Sequence, residues 1–383
     1  MFKPLIPRVK VNYTLSDIFC SVICNNNRTD KRRQCIKILS SIFCGYDIKL
    51  VPSSRDAIYE LLIRLPQKKV VIPAYTCMVV NEAILLAGKQ IVFSKTSANS
   101  FNSSYIECID SDCIVLATHQ YGLPCNIEEV AAKCKETGAV LIEDCATSLG
   151  TIVNEKYTGT FGDYAIISLN ASKTLTVPPF GGILIGKDSK MLNDIEENSG
   201  WKSQNLTFKL KSLIRAFAFV ITKNLVIYRL FHWLTIDRKG KLQRTEHESP
   251  AEQKTEYYKY RFEEWQASIL LKQLKCLDKI IEKRKYIYSY YDKHINNPLI
   301  KKPIHNTNAV CTRYAVLVND RRSIYKQCLE KGVDMDFSHC SIGAPSDYKE
   351  EHDIANRILN LPFYYELSDK EMNRVVNIIN SIR

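Results

Sequence analysis

The chain has 383 residues, of which 45% are hydrophobic and 25% are charged, and its formal net charge is +12. This composition is that of a globular protein with a packed core, and the length favours two domains. The positive charge is compatible with nucleic acid, a membrane surface or a phosphorylated substrate, and by itself it selects none of them.

Cysteine usage and apolar runs narrow the class of protein further. The sequence has 14 cysteines and no Cys-x-x-Cys pair, and its closest spacings (Cys20/Cys24 and Cys108/Cys113) have no matching second pair or histidine cluster. We therefore expect no metal site and interpret the cysteines as reduced thiols. The N-terminus lacks a signal-peptide pattern, and no apolar run approaches the roughly 20 residues of a membrane span. The prediction is a cytoplasmic protein.

The first 45 residues predict two helices, at about residues 15–24 and 30–43, which we expect to pack against the rest of the fold. After a short strand, apolar residues at helical spacing predict a helix capped by Ser53 or Ser54. The free N–H groups at such a helix start bind anions. Ser54 and Arg55 are therefore candidate contacts to a phosphate, and a simple helix cap is the alternative.

Strands and helices alternate over the next hundred residues. Apolar strands begin at Lys69, Gln90 and Cys113, and helices are predicted near residues 79–86 and 126–137. This alternation continues to residue 186, and it predicts an α/β fold with a mostly parallel central sheet and helices on both faces.

The central stretch brings two reactive side chains to the ends of neighbouring strands. An apolar run ends at Asp144, and a second strand delivers the hydroxyl of Ser168 and then Lys173. Ligands of open α/β sheets bind outside the carboxyl ends of the strands. A lysine and a carboxylate there suit pyridoxal 5'-phosphate (PLP), which needs an amine for its Schiff base and an acidic partner for its ring nitrogen. Asp144 and Lys173 are therefore the predicted catalytic residues.

The same stretch resembles a known family. The pattern acid-Asp-x-Ala-x-x-x-Gly, followed by Gly-Asp, Ser-x-x-x-x-Lys and Gly-Gly, is similar to that of the DegT/DnrJ/StrS-type sugar aminotransferases. The resemblance covers roughly residues 50–383 and implies a PLP fold type I architecture. It implies a large PLP-binding domain at residues 46–240, after an N-terminal helical segment at 1–45, and a smaller C-terminal α/β domain at 241–383.

The resemblance also implies roles around the cofactor. Ser168 would donate to the phosphate, and Thr147 would lie near the phenolic oxygen, where relatives often have Gln. Cys77 stands where relatives stack an aromatic ring on the cofactor, with a core residue as the alternative reading. His119, in a segment similar to Val-His-x-Tyr-Gly, would line the cofactor pocket; a structural histidine is the alternative. Lys173 would bind the cofactor and then move a proton between substrate and cofactor carbons.

Residues 201–241 form an unusually apolar segment. They are rich in Leu, Ile, Phe and Tyr, are interrupted by Lys and Arg, and contain no acidic residue before Asp237. The pattern predicts one or two helices with an apolar face and a cationic remainder. Such helices pack on their own protein or on a partner subunit, and peripheral contact with anionic lipid is the alternative.

The C-terminal part returns to the family pattern. Apolar residues at helical spacing predict a long amphipathic helix within residues 257–295. Lys259 stands where relatives carry an Asn that reaches the phosphate across a dimer interface, so Lys259 is a predicted cofactor contact, with a surface lysine as the alternative. Relatives place a substrate-binding His near Ser338, which makes the adjacent His339 a candidate substrate contact. Tyr75 is a second candidate.

The resemblance therefore implies a homodimeric PLP-dependent aminotransferase without a nucleic-acid partner. It would transfer the amino group of glutamate to a nucleotide-linked keto sugar in surface-polysaccharide synthesis. A regulatory protein that keeps the cofactor and loses the chemistry is one alternative. Sugar dehydration is another, although relatives that dehydrate typically replace the lysine that is present here as Lys173. A nicotinamide dehydrogenase is disfavoured because no Gly-x-Gly-x-x-Gly follows any strand.

Overall fold

The structure is a computed structural model that describes residues 4–23, 30–237, 260–337 and 342–383. Its strands are β1 (Asp47–Val51), β2 (Lys69–Pro73), β3 (Gln90–Ser94), β4 (Cys113–Thr118), β5 (Val140–Asp144), β6 (Ile152–Val153), β7 (Lys156–Tyr157), β8 (Tyr164–Ser168), β9 (Gly182–Gly186), β10 (Tyr314–Leu317) and β11 (Ile358–Leu361). Its α-helices are α1 (Leu15–Ile23), α2 (Lys31–Ile42), α3 (Ser54–Arg64), α4 (Met78–Leu86), α5 (Ile127–Thr137), α6 (Ser189–Asn198), α7 (Leu206–Ile221), α8 (Leu225–His232), α9 (Glu264–Leu274), α10 (Leu277–His294), α11 (Arg321–Glu330), α12 (Lys349–Arg357) and α13 (Asp369–Asn380).

One large sheet organises the chain. Seven strands lie in the order β1-β9-β8-β5-β4-β2-β3. From β3 to β8 every neighbouring pair is parallel, whereas β9 runs antiparallel to both β8 and β1. The predicted α/β fold with a mostly parallel sheet is confirmed. Parallel strands bury both faces, which explains why β4, β5 and β8 are continuous apolar runs in the sequence.

Helices cover both faces of this sheet. In β2, Val70 and Ile72 pack with residues of α3 and α4, whereas Val71 packs on the opposite face with residues of α5. Alternate residues of a strand point to opposite faces, so a single apolar strand supplies two cores. Helix α5 ends at Gly138, whose φ of 81° is in the left-handed region that glycine adopts without strain.

The C-terminal strands β10 and β11 form an antiparallel pair that packs in one core with α10, α11 and α13. The predicted boundary at residues 240/241 lies outside the described residues and stays a prediction. Helix α9, which that boundary assigns to the small domain, packs instead with residues of β8 and β9 under the large sheet.

The single long helix predicted within residues 257–295 is divided into α9 and α10. At the division the N–H of Cys276 bonds to the carbonyl of Gln273, three residues back, at 3.0 Å. The preceding N–H, that of Lys275, still bonds four residues back to Leu271 at 3.1 Å. This local tightening ends the regular α-helical geometry, so the chain enters α10 as a new helix.

The N-terminal segment is fastened to the C-terminal part of the chain. Ile6 bridges Val333, and the guanidinium of Arg8 donates to the carboxylate of Asp334 at 2.7 Å. Asp334 also accepts from the hydroxyls of Tyr228 and Tyr325. Burial acts to raise the pKa of Asp334, but the Arg8 charge holds it well below its usual value. None of the described helices has the length and apolarity needed to cross a bilayer.

Candidate active site

Asp144 ends strand β5 at the carboxyl edge of the sheet. Its side chain is buried (5% exposed), and its Oδ1 accepts the N–H of Ala146 at 3.0 Å. Burial raises the pKa of this carboxyl, while the Ala146 N–H and the charges of Lys173 and His119 act to lower it. A buried carboxylate of this kind keeps its charge only with cationic or hydrogen-bonding neighbours.

Lys173 lies in the segment that follows β8, beside the end of β5. Burial lowers the pKa of its amine to about 8, and the charge of Arg313 acts in the same direction. Cys77 and Asp144 act to raise it. Lys173 and Asp144 therefore lie close enough for each charge to be felt by the other, as a shared cofactor site requires.

The main chain around Lys173 is held by a buried arginine from α10. Arg284 donates from Nη2 to the carbonyl of Lys173 at 3.0 Å and from Nη1 to the carbonyl of Cys311 at 3.2 Å. Burial lowers the pKa of Arg284 to about 10. Sequence reasoning missed this role, because an Arg in a helical pattern does not show which carbonyls it will meet.

The segment after Lys173 is fixed by two glutamines of α9. The side-chain amide of Gln273 accepts from the N–H of Thr176 at 2.9 Å and donates to the carbonyl of the same residue at 2.7 Å. Gln266 donates to the carbonyls of Pro178 and Phe180 at 3.1 and 3.0 Å. These two glutamines thus hold the backbone that leads away from the lysine.

A glycine brings a helix N-terminus to the end of β8. Ser168 pairs with Gly182 across β8 and β9, and a Cβ at Gly182 would lie 2.7 Å from the backbone N of Ser54. Only glycine permits this approach. Ser53 is the N-cap, since its hydroxyl accepts the N–H of Asp56 at 3.1 Å, and Ser54 is the first helical residue. The end of β8, which carries Ser168, and the start of α3 therefore lie close together and form a candidate phosphate cradle. The predicted phosphate contacts of Ser168 and Ser54 stay predictions.

Arg55 and Cys77 lie beside this cradle. The guanidinium of Arg55 pairs with the carboxylate of Glu82 in α4 at 3.4 Å. Cys77 is the half-buried N-cap of α4, and it packs in the core shared by α3 and α4. Its electrostatic effect on Lys173 places it near that amine. The predicted cofactor contacts of both residues stay predictions.

His119 is fully buried, and both of its ring nitrogens are engaged by the protein. Its Nδ1 accepts the N–H of Cys125 at 3.2 Å, which leaves Nε2 to donate to Glu143 Oε2 at 3.2 Å. Thr147 donates its hydroxyl to the carbonyl of His119 at 2.7 Å. The polar atoms of His119 thus serve an internal network. The predicted cofactor contacts of His119 and Thr147 stay predictions.

Glu143 is the buried centre of that network, on the opposite face of β5 from Asp144. Its two oxygens accept the N–H groups of Gly159 (2.8 Å), Phe161 (2.6 Å) and Gly162 (2.8 Å). The candidate ligand atoms of His119, Glu143 and Cys145 lie within 4.8 Å of one another, a spacing that a metal ion could use. Because three backbone donors already occupy the carboxylate, we interpret the cluster as a hydrogen-bonded hub.

Tyr75, a candidate substrate contact, is fully buried, and its predicted contact with the substrate stays a prediction. Its side chain is 0% exposed, and its hydroxyl shares a 2.6 Å hydrogen bond with that of Tyr121. The strand before it delivers Tyr75 inward to the core shared with Phe101. The two other distant candidates, Lys259 and His339, lie outside the described residues.

Arg313 is a site residue that sequence reasoning missed. It lies just before β10, forms an ion pair with Asp336, and donates from Nη2 to the hydroxyl of Ser172 at 3.2 Å. Its charge lowers the pKa of Lys173. Arg313 is 140 residues from Lys173 along the chain. No local pattern signals this pairing, which arises from the fold.

The lowered pKa of Lys173 predicts the pH dependence of cofactor capture. A lysine reacts as the neutral amine, and a pKa of about 8 leaves roughly one amine in ten neutral at pH 7. The rate at which the apo protein develops its visible absorbance with PLP should therefore rise about tenfold between pH 7 and pH 9 and then level off. Arg313→Gln removes a positive charge, raises the lysine pKa and should move this profile to higher pH. A rate that still climbs steeply at pH 10 in the unmodified protein would contradict the assignment.

A lysine and a carboxylate at the carboxyl edge of a mostly parallel sheet, beside a phosphate cradle, define a PLP enzyme of fold type I. Residues 57–380 match the DegT/DnrJ/EryC1/StrS aminotransferase family, and the chain belongs to that family. The predicted family, the enzyme class and the PLP cofactor are confirmed.

Two curated relatives are GDP-perosamine synthases. The protein from Escherichia coli O157:H7 is 23% identical over 328 residues, covering 82% of this chain and 78% of the relative. The protein from Vibrio cholerae is 34% identical over 125 residues, a match that spans 31% of this chain and 34% of the relative. The higher identity, that to the V. cholerae protein, thus applies to only about a third of each chain.

Solved structures show the same fold at low identity. The Helicobacter pylori aminotransferase PseC, involved in the biosynthesis of pseudoaminic acid, has a TM-score of 0.75 and 15% identity, covering 98% of both chains. The E. coli GDP-4-keto-6-deoxy-D-mannose-3-dehydratase with bound hydrated PLP has a TM-score of 0.73 and 14% identity, covering 99% of this chain and 100% of that chain. One fold therefore serves both amination and dehydration, and the site has to distinguish them.

Proposed function

We propose that the protein transfers an amino group from glutamate to a keto sugar linked to a nucleoside diphosphate, and that it acts as a homodimer in surface-polysaccharide synthesis. The observation that carries the proposal is the pairing of the half-buried Lys173 with the buried Asp144 at one edge of the sheet, where each charge shifts the pKa of the other. The family and the two GDP-perosamine synthases support a nucleotide sugar as the substrate.

The residues at the edge of the sheet fit PLP. The group supplies an aromatic ring that accepts electrons from the reacting carbon. The hydroxyl of Ser168 and the first N–H groups of α3 would hold the phosphate in the cradle that Gly182 keeps open. The carboxylate of Asp144 would keep the ring nitrogen protonated.

Lys173 supplies the reactive amine. With a pKa of about 8, its Nζ is available in the neutral form near physiological pH, both to bind the cofactor and to take a proton from the substrate carbon. Arg284 and the glutamines of α9 fix the backbone at the Lys173 carbonyl and in the residues that follow it, so its side chain approaches from a defined direction. This positioning serves both half-reactions, because donor and sugar are handled in turn by the same amine.

Lys173 also favours amination over dehydration. A lysine at this position can move the proton between the substrate carbon and the cofactor carbon, which is the step that amino transfer requires. The test is incubation with isotope-labelled glutamate and a panel of nucleotide-linked keto sugars, followed by mass spectrometry. Label in the sugar product is the expected result. Loss of water from the sugar without label would establish dehydration, and a persistent cofactor absorbance without any product would favour a regulatory protein.

Asp144→Asn tests the acid at the ring nitrogen. The amide keeps the size of the side chain and loses the charge that retains the ring proton, so turnover should fall by at least about 100-fold. The cofactor should stay bound with a shifted visible absorbance, because Lys173 and the phosphate cradle are untouched. The matched control is Asp112→Asn, an exposed aspartate remote from the site. Unchanged turnover and absorbance in Asp144→Asn would contradict this role.

A further inference from the structure

Helix α7 exposes an apolar stripe along its length. Leu206 (82% exposed), Leu210, Ile214 and Phe217 follow one another at intervals of four, four and three residues, which places them on one side of the helix. The opposite side of α7 packs with residues of α1 and α9, among them Trp265. The exposed stripe is therefore additional to the face that attaches the helix to the protein.

The two neighbouring helices repeat this arrangement. In α8 and the turn of helix after it, the exposed apolar side chains are Val226, Ile227, Leu230, Phe231, Trp233 and Leu234. In α1, which contacts α7, they are Leu15, Phe19, Val22 and Ile23. Most of the exposed large apolar side chains among the described residues belong to these three helices. We call these exposed side chains the α1–α7–α8 surface; a concentration of exposed apolar residues of this kind marks a binding site.

The charged residues of α7 and α8 have one sign, whereas α1 carries Asp17, which pairs with Lys272 at 2.6 Å. Between Glu197 and Asp237 the sequence contains no Asp or Glu, and it contains six Lys or Arg residues. Two of the lysines are used internally, since Lys209 and Lys223 pair with glutamates elsewhere in the fold at 2.6 Å. Lys211 and Arg215 are exposed on α7, next to the apolar stripe.

We propose that the α1–α7–α8 surface binds the protein peripherally to a bilayer of anionic phospholipid. Apolar side chains on one side of a helix with flanking cations are the features of helices that lie in the membrane interface. Each exposed Lys or Arg near an anionic surface contributes about 1 kcal/mol of attraction. Trp233, which is 38% exposed at the end of α8, is of the residue type enriched at the boundary between lipid and water.

Charge argues against a second copy of the chain as the occupant. In a two-fold symmetric dimer the same patch meets itself. Lys211 and Arg215 would then face a second set of cations, and residues 198–236 hold no acidic residue that could pair with them. Like charges opposed across an interface are unfavourable, whereas anionic headgroups neutralise both residues.

The test measures binding of the full-length holoenzyme to vesicles by sedimentation and by tryptophan fluorescence. The chain has three tryptophans, and Trp201 and Trp265 are buried, so Trp233 is the one positioned to report contact with lipid. Vesicles of phosphatidylcholine with phosphatidylglycerol should bind the protein, shift its fluorescence to the blue, and allow quenching by brominated acyl chains. Vesicles of phosphatidylcholine alone should bind at least about tenfold more weakly.

Two variants separate the apolar and the charged contributions. Lys211→Gln with Arg215→Gln should weaken binding to anionic vesicles roughly 25-fold, since two cations are removed. Leu210→Gln with Ile214→Gln should abolish the fluorescence shift. The matched control, Leu85→Gln with Leu86→Gln, changes exposed leucines of α4 and should bind like the unmodified protein.

Two results would overturn the proposal. One is equal, weak binding of the unmodified protein to both kinds of vesicle. The other is an oligomer in light scattering that the Leu210→Gln, Ile214→Gln variant dissociates, which would assign the surface to a second copy. Turnover of the soluble variants serves as the check that they fold, because none of the substituted residues lies in the proposed site.

Discussion

Lys173→Ala is expected to abolish covalent attachment of the cofactor and to lower turnover by at least about 10³-fold. Among the described residues, the cations near this amine are Arg313, which is paired with Asp336, and Arg284, which donates to the Lys173 carbonyl. A guanidinium cannot replace the neutral amine of a lysine. Borohydride reduction followed by peptide mass mapping should find the pyridoxyl adduct on Lys173 in the unmodified protein and no adduct in the variant.

The matched control is Lys190→Ala, an exposed lysine of α6 that leaves the site unchanged. Exogenous small amines should partly restore turnover in Lys173→Ala, because they replace the missing base without the missing attachment. An adduct on another lysine of the unmodified protein would overturn the site assignment. Full activity of Lys173→Ala would contradict the proposed role of the Lys173 amine.

Glu143→Ala should cost about 4 kcal/mol in the free energy of unfolding, the largest stability effect that we expect from a single substitution in this region. The carboxylate of Glu143 accepts three backbone N–H groups and faces the imidazole of His119. Its removal leaves three buried donors without an acceptor and opens a cavity beside β5. Urea denaturation of the apo protein measures the loss without a contribution from the cofactor.

The free energy of unfolding of Glu143→Gln should lie between those of the unmodified protein and Glu143→Ala. The amide keeps one acceptor oxygen for the N–H donors of residues 159–162, but it turns an N–H group toward the remaining donors. The control is Glu136→Ala, which removes an exposed carboxylate paired with Lys133 at the surface. That pair should contribute less than about 1 kcal/mol. A Glu143→Ala variant that unfolds at the same urea concentration as the control would refute the role of Glu143 as a hub.

The regular parts of the fold could be predicted because periodicity is local. Alternating apolar strands and amphipathic helices predicted the parallel sheet, and strands ending in Asp144 and Ser168 predicted the edge at which a ligand binds. Glu143 could have been found by the same logic. If Asp144 points toward the site, the preceding residue points to the opposite face, and a buried carboxylate there needs several donors.

The remaining site residues depend on distances between segments far apart in the sequence. Arg284 and Arg313 meet the segment of Lys173 only after α10 and β10 have packed against the sheet. Tyr75 shows the same dependence on packing between distant segments. It adjoins the predicted site in sequence, yet its hydroxyl is taken by Tyr121, 46 residues away. A pattern of residue types does not show which side of a turn becomes the interior.

Arg284 ties the backbone of the reactive lysine to the segment that leads into the C-terminal strands. One guanidinium nitrogen binds the carbonyl of Lys173, and the other binds the carbonyl of Cys311. A displacement of those strands would have to carry the lysine backbone with it or break a buried hydrogen bond to a charged group. The position of β10 and β11 therefore helps to set the alignment of the amine.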